Sequence, residues 1–438
     1  MTTSPEISPL GTSTKLTDEQ ATHISIRTSC RVCGNLSLVP VLSLGNQYVS
    51  NFVDTIDDGV AAPLELVLCN AEHGGCGLLQ LKHTVAPEVM YRNYWYRSGV
   101  NQTMREALAD ITVKAERLVN LSSGDTVVDI GSNDGTLLQS YRVPGIKRVG
   151  FEPATNLLPY AAQVDATIIN DFFSAQAWHA AGFATPAKII TSIAMFYDLE
   201  DPNGFVADIA HVLAPDGVWI LQMSYLPSML KQNAFDNICH EHLEYYSLLA
   251  LENLLARHNL RAIDVELNAV NGGSYRVYIT HAAPAPYTSA AGEKRLTTLR
   301  TQEAALLLHS VPAYAGFAER VNTLKQQTVN FIRQAVANGK TVYVYGASTK
   351  GNCLLQYYGL DHSLITAAAE RNPDKWGKQT VGTGIPIVSE AEARAARPDY
   401  FLILPWHFLP EFVEREKDYF SQGGKFIVPL PEFQILPA

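Results

Sequence analysis

Short apolar runs alternate with glycine turns and with stretches whose apolar positions fall three and four apart, from about residue 126 to the end of the chain. Thr126-Val127-Val128-Asp129-Ile130 is continuous enough to predict a strand buried on both faces. Gly131 and Gly135 follow, then the helical Thr136-Leu137-Leu138-Gln139. Further strands are predicted at Arg148 to Phe151, in the region ending at Asp171-Phe172-Phe173, at Lys188 to Ser192 and at Gly217 to Gln222. Helical spacing falls between them, near Asn203 to Leu213 and Leu248 to His258. That rhythm predicts a doubly wound α/β sheet. Asn271-Gly272-Gly273-Ser274-Tyr275-Arg276 interrupts a later strand pair, and two glycines there let backbone approach a ligand. Ala291 to Ala337 reads as helix with few turn signals, and strands at Thr341 to Tyr345, Tyr400 to Leu404 and Lys425 to Val428 predict a second α/β unit.

At roughly 150 residues per domain, 438 residues imply about three domains. The pattern divides them into a loose tail over 1–22, a cysteine-bearing unit over 23–86, an α/β domain over 87–288, and a helical linker with a second α/β domain over 289–438. A hydrophobic content of 47% with 17% charged residues describes a globular protein. The net charge of −10 argues against nucleic acid, whose phosphates need a basic face. No apolar run is long enough to predict a membrane span. The Ser/Thr-rich start reads as a tail and not as a signal peptide.

Four of the six cysteines precede residue 80, which points to a metal in a reducing cytoplasm. Cys30-Arg31-Val32-Cys33-Gly34 is a knuckle, with a glycine that permits positive φ. The return pair, Cys69 and Cys76, has a longer spacing, and Gly74-Gly75 between them would let that loop close. Four thiolates suit a closed, structural zinc site, with His73 as an alternative to Cys76.

The turn after the first strand lacks the Gly-x-Gly-x-x-Gly spacing of a dinucleotide site. Asp129, Gly131, Asn133 and Gly135 are nonetheless placed to cradle a nucleoside. Glu152 ends the second strand, 21 residues beyond Gly131, where an acid grips ribose hydroxyls, and Asp171 with Phe172 follows where a carboxylate meets an adenine amino group. In the second α/β unit, Gly346-Ala347-Ser348-Thr349-Lys350-Gly351-Asn352 joins a strand to a helix start. Ser348 and Lys350 are expected to hold a pyrophosphate there. The order of Lys350 and Gly351 excludes a P-loop.

The densest chemistry lies in Cys239-His240-Glu241-His242-Leu243-Glu244-Tyr245-Tyr246, where imidazoles stand beside carboxylates, as a proton carrier near neutral pH requires. Taken in order, these pieces resemble the sugar C-methyltransferases of deoxysugar pathways, over about residues 28 to 438. The resemblance is carried by His240-Glu241-His242, by Asn271-Gly272-Gly273-Ser274 and by Gly346-Ala347 with Lys350-Gly351-Asn352. Tyr94-Trp95-Tyr96-Arg97-Ser98 and the late Gly382-Thr383 loop add to it. It implies a zinc-binding head, a class I methyltransferase domain that takes S-adenosylmethionine, and a Rossmann-like carboxyl-terminal domain. It also implies methylation at carbon 3 of a nucleotide-linked 4-keto-deoxyhexose by a cytoplasmic monomer or weak homo-oligomer. Cys239 and Asp198 stand where many members carry Tyr and His, and Val381 and Gly384 replace a Pro and a His.

The chemistry needs a base, since carbon beside a ketone is not nucleophilic until it loses a proton. The resemblance gives that part to His242, titrating near its unperturbed pKa of about 6.5 without deep burial, with Glu241 fixing its tautomer. Tyr94, Tyr96, Tyr245 and His240 are candidate donors to the enolate oxygen. Asn271, Ser274 and Arg276 are expected on the substrate side. The spacing of His240 and His242 does not suit a catalytic zinc helix. Rival readings are an O- or N-methyltransferase on a nucleotide sugar, a non-catalytic sugar-nucleotide sensor and, least of all, a dehydrogenase.

Overall fold

The computed structural model describes residues 24–91 and 94–437, so the expected tail over 1–22 lies outside them. The first strand of the central sheet is Thr126–Ile130, every residue of it buried. Lys147–Phe151 and Thr167–Ile169 lie parallel on one side of it and Ala187–Ile193 and Leu213–Ser224 on the other. The sheet ends in two strands, Ser274–His281 and then Leu260–Asn268, with Ser274–His281 antiparallel to both of its neighbours. This is the seven-stranded class I methyltransferase order, and the order of strand addition reverses between the parallel neighbours Thr126–Ile130 and Ala187–Ile193. In open α/β sheets ligands bind at the strand ends beside that reversal.

The carboxyl-terminal sheet is wound the same way. Val342–Tyr345 lies between Ala368–Glu370, followed outward by Ile387–Ser389, and Tyr400–Ile403, followed by Lys425–Val428. All five are parallel, and Gln434–Leu436 closes the edge antiparallel. The stretch predicted as helix from Ala291 to Ala337 is two helices, Ala290–Leu306 and Pro312–Ala337. Leu307 takes φ 51° and Pro312 begins the second helix, so the helical spacing concealed the break. The third strand of the central sheet also stops at Ile169, leaving Asp171 in the loop beyond it.

The cysteine unit is wedged between these two domains. Its strands Leu38–Tyr48, Ala61–Cys69 and Leu79–Leu81 form a sheet whose fourth strand, Glu244–Tyr245, comes from the segment after His240-Glu241-His242. Phe52–Val53 of the same unit pairs with Gln379–Thr380 of the carboxyl-terminal domain. One hydrophobic core joins Leu66, Leu68 and Leu79 to Phe235, Leu243, Leu354 and Leu402, and a second joins Cys69 and Leu78 to Trp219 and Tyr246. Glu303 of the linker adds a polar tie. Its buried carboxylate accepts bonds from Leu248 N (2.6 Å), Leu249 N (2.9 Å) and Tyr225 Oη (2.8 Å), capping the helix Leu248–Arg257 from a distance.

Cys30, Cys33, Cys69 and Cys76 converge, with their Sγ atoms all within 4.8 Å of one another. Sγ of Cys30 is 3.6 Å from that of Cys76, and Sγ of Cys33 is 3.4 Å from that of Cys69. Tetrahedral zinc–thiolate bonds of about 2.3 Å would set sulfurs about 3.8 Å apart, so the set fits that ion. The long Cys69–Cys76 spacing closes because Ala71–His73 forms one 3-10 turn ended by Gly74 at φ 77°. His73 is exposed on that turn and is not in the cluster.

Elemental analysis should find one zinc per chain, and Cys76→Ser should lose it and melt well below the parent. Cys353→Ser should cost much less, because its sulfur lies 3.4 Å from Ser50 Oγ, a partner that a hydroxyl can keep. A metal-free parent protein of unchanged stability would overturn this assignment.

Candidate active site

One cavity of about 550 Å³ runs from the carboxyl ends of the central strands to those of the carboxyl-terminal sheet. At its first end are Asp129, Gly131, Asn133, Glu152, Asp171 and Phe172. Gly131 has φ 70° and a Cβ there would meet Met195 at 3.3 Å; Gly135, at φ 79°, closes the turn outside the lining, where a Cβ would meet Val164 at 2.8 Å. Glu152 accepts bonds from Asn133 N (2.7 Å) and Ala154 N (2.8 Å), so the acid that faces the cavity also fixes the glycine turn. Burial raises its pKa, and raises that of Asp129 to about 8. The turn fits a nucleoside: backbone lies open where side chains would intrude, with a carboxylate beside it.

A strap crosses this end. Asn133 Nδ2 donates to Tyr96 O (3.0 Å), Ser98 N to Asn133 Oδ1 (2.9 Å), and the Asn156 amide bonds both N and O of Tyr94 (3.0 and 2.9 Å). Trp95 Nε1 donates to Asn51 Oδ1 (2.8 Å), anchoring the strap to the cysteine unit. Tyr94 and Tyr96 both line the cavity, and Tyr96 is 45% exposed at its rim.

Glu241 and His242 stand at the centre, with Asp198, Asp236 and Lys350. His242 Nδ1 is 2.8 Å from the Asn237 carbonyl, which can only accept, so Nδ1 carries the proton and Nε2 keeps its lone pair. Tyr197 packs edge-on against the ring, centroids 4.3 Å apart. Burial and then the charge of Lys350 lower the His242 pKa to about 3, while burial raises that of Glu241 to about 7. Asp198 is pushed well above the carboxylate range by burial and by Glu241, and its Oδ1 has no hydrogen-bond partner. The Lys350 ammonium reaches Asn237 Oδ1 at 2.5 Å. Cys239, Glu241 and His242 also bring one ligand atom each within 4.8 Å of the others, although Cys239 does not line the cavity.

At the far end lie Gly346, Ala347, Ser348, Glu370, Arg371, Asn372, Lys375 and Arg415. Ser348 caps the helix Thr349–Tyr358, and Glu370 accepts from Ala347 N (3.0 Å), repeating at this turn what Glu152 does at the other. Asn271 and Ser274 form part of the wall between the two ends.

Comparison with known proteins decides the family. C-methyltransferase NovU of Streptomyces niveus is 34% identical over 420 residues, spanning 93% of this chain and 97% of its own. The chain belongs to the C-methyltransferase family. Sequence models of a zinc binding domain, a methyltransferase domain and the C-methyltransferase C-terminal domain match residues 30–91, 100–265 and 269–431. Among solved structures, an S-adenosylmethionine-dependent methyltransferase from Clostridium acetobutylicum is 11% identical, with TM-score 0.34, covering 41% of this chain and 92% of its own. The plantazolicin methyltransferase BpumL bound to SAH is 12% identical, with TM-score 0.33, covering 40% and 83%. The chain is therefore an S-adenosylmethionine-dependent C-methyltransferase with a zinc-binding head, which removes the sensor, dehydrogenase and O- or N-methylating readings. Among the described residues, no helix is long and apolar enough to cross a membrane.

In this C-methyltransferase several expected site residues are turned elsewhere. His240 points at the cysteine unit, Nε2 to Ala62 O at 2.9 Å, and does not line the cavity. The two imidazoles diverge because the chain turns between them, with His242 N donating to Cys239 O at 3.1 Å. Tyr245 sits behind His242, its hydroxyl 3.3 Å from Asn237 O, beside a much smaller void of about 10 Å³. Arg276 is buried in the sheet, bonded to Gln222 (2.9 Å) and Asp110 (2.9 Å), and reaches no cavity surface. The tautomer of His242 is set by Asn237 and not by Glu241, and the ring is deeply buried, not near its free pKa. Lys350 turns from the glycine turn toward the centre. Val381 and Gly382 bond to Asn51 and Ile56, so the late loop braces the cysteine unit. Asn237 and Tyr197 stand beside residues that the sequence marked but were given no role, and Glu370 carried no signal, since Ala368–Glu370 is too short and alanine-rich to predict a strand.

Glu152→Ala should weaken S-adenosylmethionine binding by about 1.5–3 kcal/mol in calorimetry, the range for a charge-assisted hydrogen bond; unchanged affinity would refute the cradle. The His242 pKa is lower in the folded protein than in the unfolded chain. The stability carried by its neutral ring is therefore full above about pH 6.5 and is lost as pH falls toward about 3. In denaturant titrations the stability of wild type relative to His242→Asn should drop by about 3 kcal/mol between pH 7 and pH 4. A gap independent of pH would show a solvated ring.

Proposed function

We propose that this C-methyltransferase acts on carbon 3 of a nucleotide-linked 4-keto-deoxyhexose. The observation that carries the reading is a neutral imidazole, Nδ1 committed to Asn237 and Nε2 free, in the wall of a cavity that opens on both nucleotide-type turns. A base with a lone pair at working pH suits removal of a proton made acidic by an adjacent ketone. The turn at Gly131 with Glu152 and Asp171 suits the donor. S-adenosylmethionine supplies an electrophilic methyl on sulfonium.

The rest of the cavity suits a long, anionic substrate. Ser348, the backbone from Gly346 and the cationic Arg371, Lys375 and Arg415 line the end farther from the donor. Nucleotide phosphates placed there would leave the sugar between Glu241, His242 and the strap residues Tyr94 and Tyr96. The proton of carbon 3 passes to His242 Nε2, and the imidazolium so formed is supported by Asn237 O at Nδ1 and by the nearby Glu241 carboxylate. The strap, tied to Asn133 and Asn156, excludes water from the reacting carbon. Asn271 and Ser274 bound the sugar on its other side.

His242→Asn keeps size and polarity but no basicity. It should lower turnover by about 10²–10⁴-fold and abolish exchange of the carbon-3 proton in deuterated water, with both ligands still bound by calorimetry. Wild-type exchange in that variant would move the base elsewhere. Product methylated on oxygen, or at another carbon, would refute the site of attack.

A further inference from the structure

Lys350 occupies a position that its own helix does not favour. It is the second residue of Thr349–Tyr358, and a cation in a first turn opposes the helix dipole. Its ammonium leaves the turn and reaches Asn237 Oδ1, 2.5 Å away. The carbonyl oxygen of the same Asn237 accepts from His242 Nδ1 at 2.8 Å. One residue therefore holds the cation by its side chain and the base by its backbone, and both line the central cavity.

The ammonium stands among buried carboxyl groups. Asp198, Asp236 and Glu241 share this part of the wall. Oδ1 of Asp198 and Oδ1 of Asp236 are buried without hydrogen-bond partners, while the other Asp236 oxygen takes Trp406 Nε1 at 2.9 Å. An ammonium carries three donors, and Asn237 takes one, leaving two for a ligand in the cavity. Two of the four residues expected to serve an oxyanion, His240 and Tyr245, face away from it.

We propose that Lys350 is the residue that stabilises the enolate, donating to the keto oxygen while His242 removes the neighbouring proton. The proposal rests on the ketosugar reading above and adds a catalytic residue to it. In the step, the C3–H bond breaks and its proton goes to His242 Nε2. The freed pair forms the C3–C4 double bond, and the carbonyl π pair moves onto the oxygen. Lys350 remains protonated throughout and meets the new negative charge with an N–H it already holds in place. The arrangement costs no reorganisation when charge develops, which is what makes a fixed donor effective in a site closed to water.

The test uses the full-length holoprotein and a nucleotide-linked 4-keto-deoxyhexose, with S-adenosylhomocysteine in the donor site for exchange in deuterated water and S-adenosylmethionine for turnover. Lys350→Met keeps the length of the side chain and removes the charge. Carbon-3 exchange and kcat should both fall by about 10²–10³-fold, with KM for the sugar nucleotide changed by no more than roughly threefold. Lys350→Arg should restore part of the exchange rate, and S-adenosylhomocysteine affinity should match wild type in both variants, reporting an intact fold. Wild-type exchange in Lys350→Met with a KM raised tenfold or more would overturn the proposal and return Lys350 to phosphate binding. If Lys350→Met loses donor affinity and Lys350→Arg exchanges no faster than it does, the lysine is structural and the proposal fails. Wild-type protein that binds the ketosugar without exchanging its proton would remove the underlying reading as well.

Discussion

Everything at the centre of this molecule depends on two residues of β-pairing. Glu244 and Tyr245 lie against Gln80 and Leu79, and Leu81 N donates to Leu243 O at 2.8 Å, extending the ladder by one rung. Without that edge, the segment carrying Glu241 and His242 would be a loop between a short helix and Leu248–Arg257, free to choose among conformations. Just upstream of that edge His240 faces outward to Ala62 O and His242 inward, and Asn237 meets both imidazole and ammonium. The cysteine unit that offers the edge is held in turn by its metal-ligand cluster and by cores shared with both larger domains. Cys69 of that cluster ends the strand Ala61–Cys69, which pairs in turn with Leu79–Leu81, the edge that Glu244–Tyr245 joins.

The two ends of the cavity follow one physical plan. Each has a glycine at positive φ after the first strand, a helix start beyond it, and an acid from the next strand bonded back to the turn, Glu152 to Asn133 N and Glu370 to Ala347 N. An acid placed so is already partly satisfied by backbone, which lowers the cost of keeping it charged in a half-buried site. The polar chemistry is then concentrated in the middle. There burial, with the charges of Lys350 and the neighbouring carboxyl groups, separates the roles, keeping an imidazole neutral and raising the pKa of Asp198 and, to about 7, that of Glu241.

Sequence pattern disclosed the parts that rest on local rules. The glycine turns, Glu152, the four cysteines and the alternation of strands with helices are set by backbone conformation and strand burial, so short windows reveal them. What it concealed depends on direction and distance. Which way His240, Tyr245 and Arg276 point is settled by pairing with strands more than a hundred residues away, or by a sheet whose interior takes up the guanidinium. Lys350 read as a phosphate ligand because its neighbours in sequence make a phosphate turn, while its neighbours in space are Asn237 and the central carboxyl groups. The break at Leu307 was hidden because apolar spacing continues across it.

The pairing of Phe52–Val53 with Gln379–Thr380 bears on how such enzymes diversify. The carboxyl-terminal domain looks like a module that recombination could exchange to acquire a new substrate. Its late loop, however, completes a sheet with the amino-terminal unit, and Asn352 donates to Asn51 O at 2.9 Å across the same boundary. A crossover placed in the linker would therefore bring in one half of an interface whose other half lies some three hundred residues upstream in the inherited chain. Productive exchanges must carry both ends of the gene together or arise by point substitution within the cavity, which makes a three-domain chain evolve as a single unit.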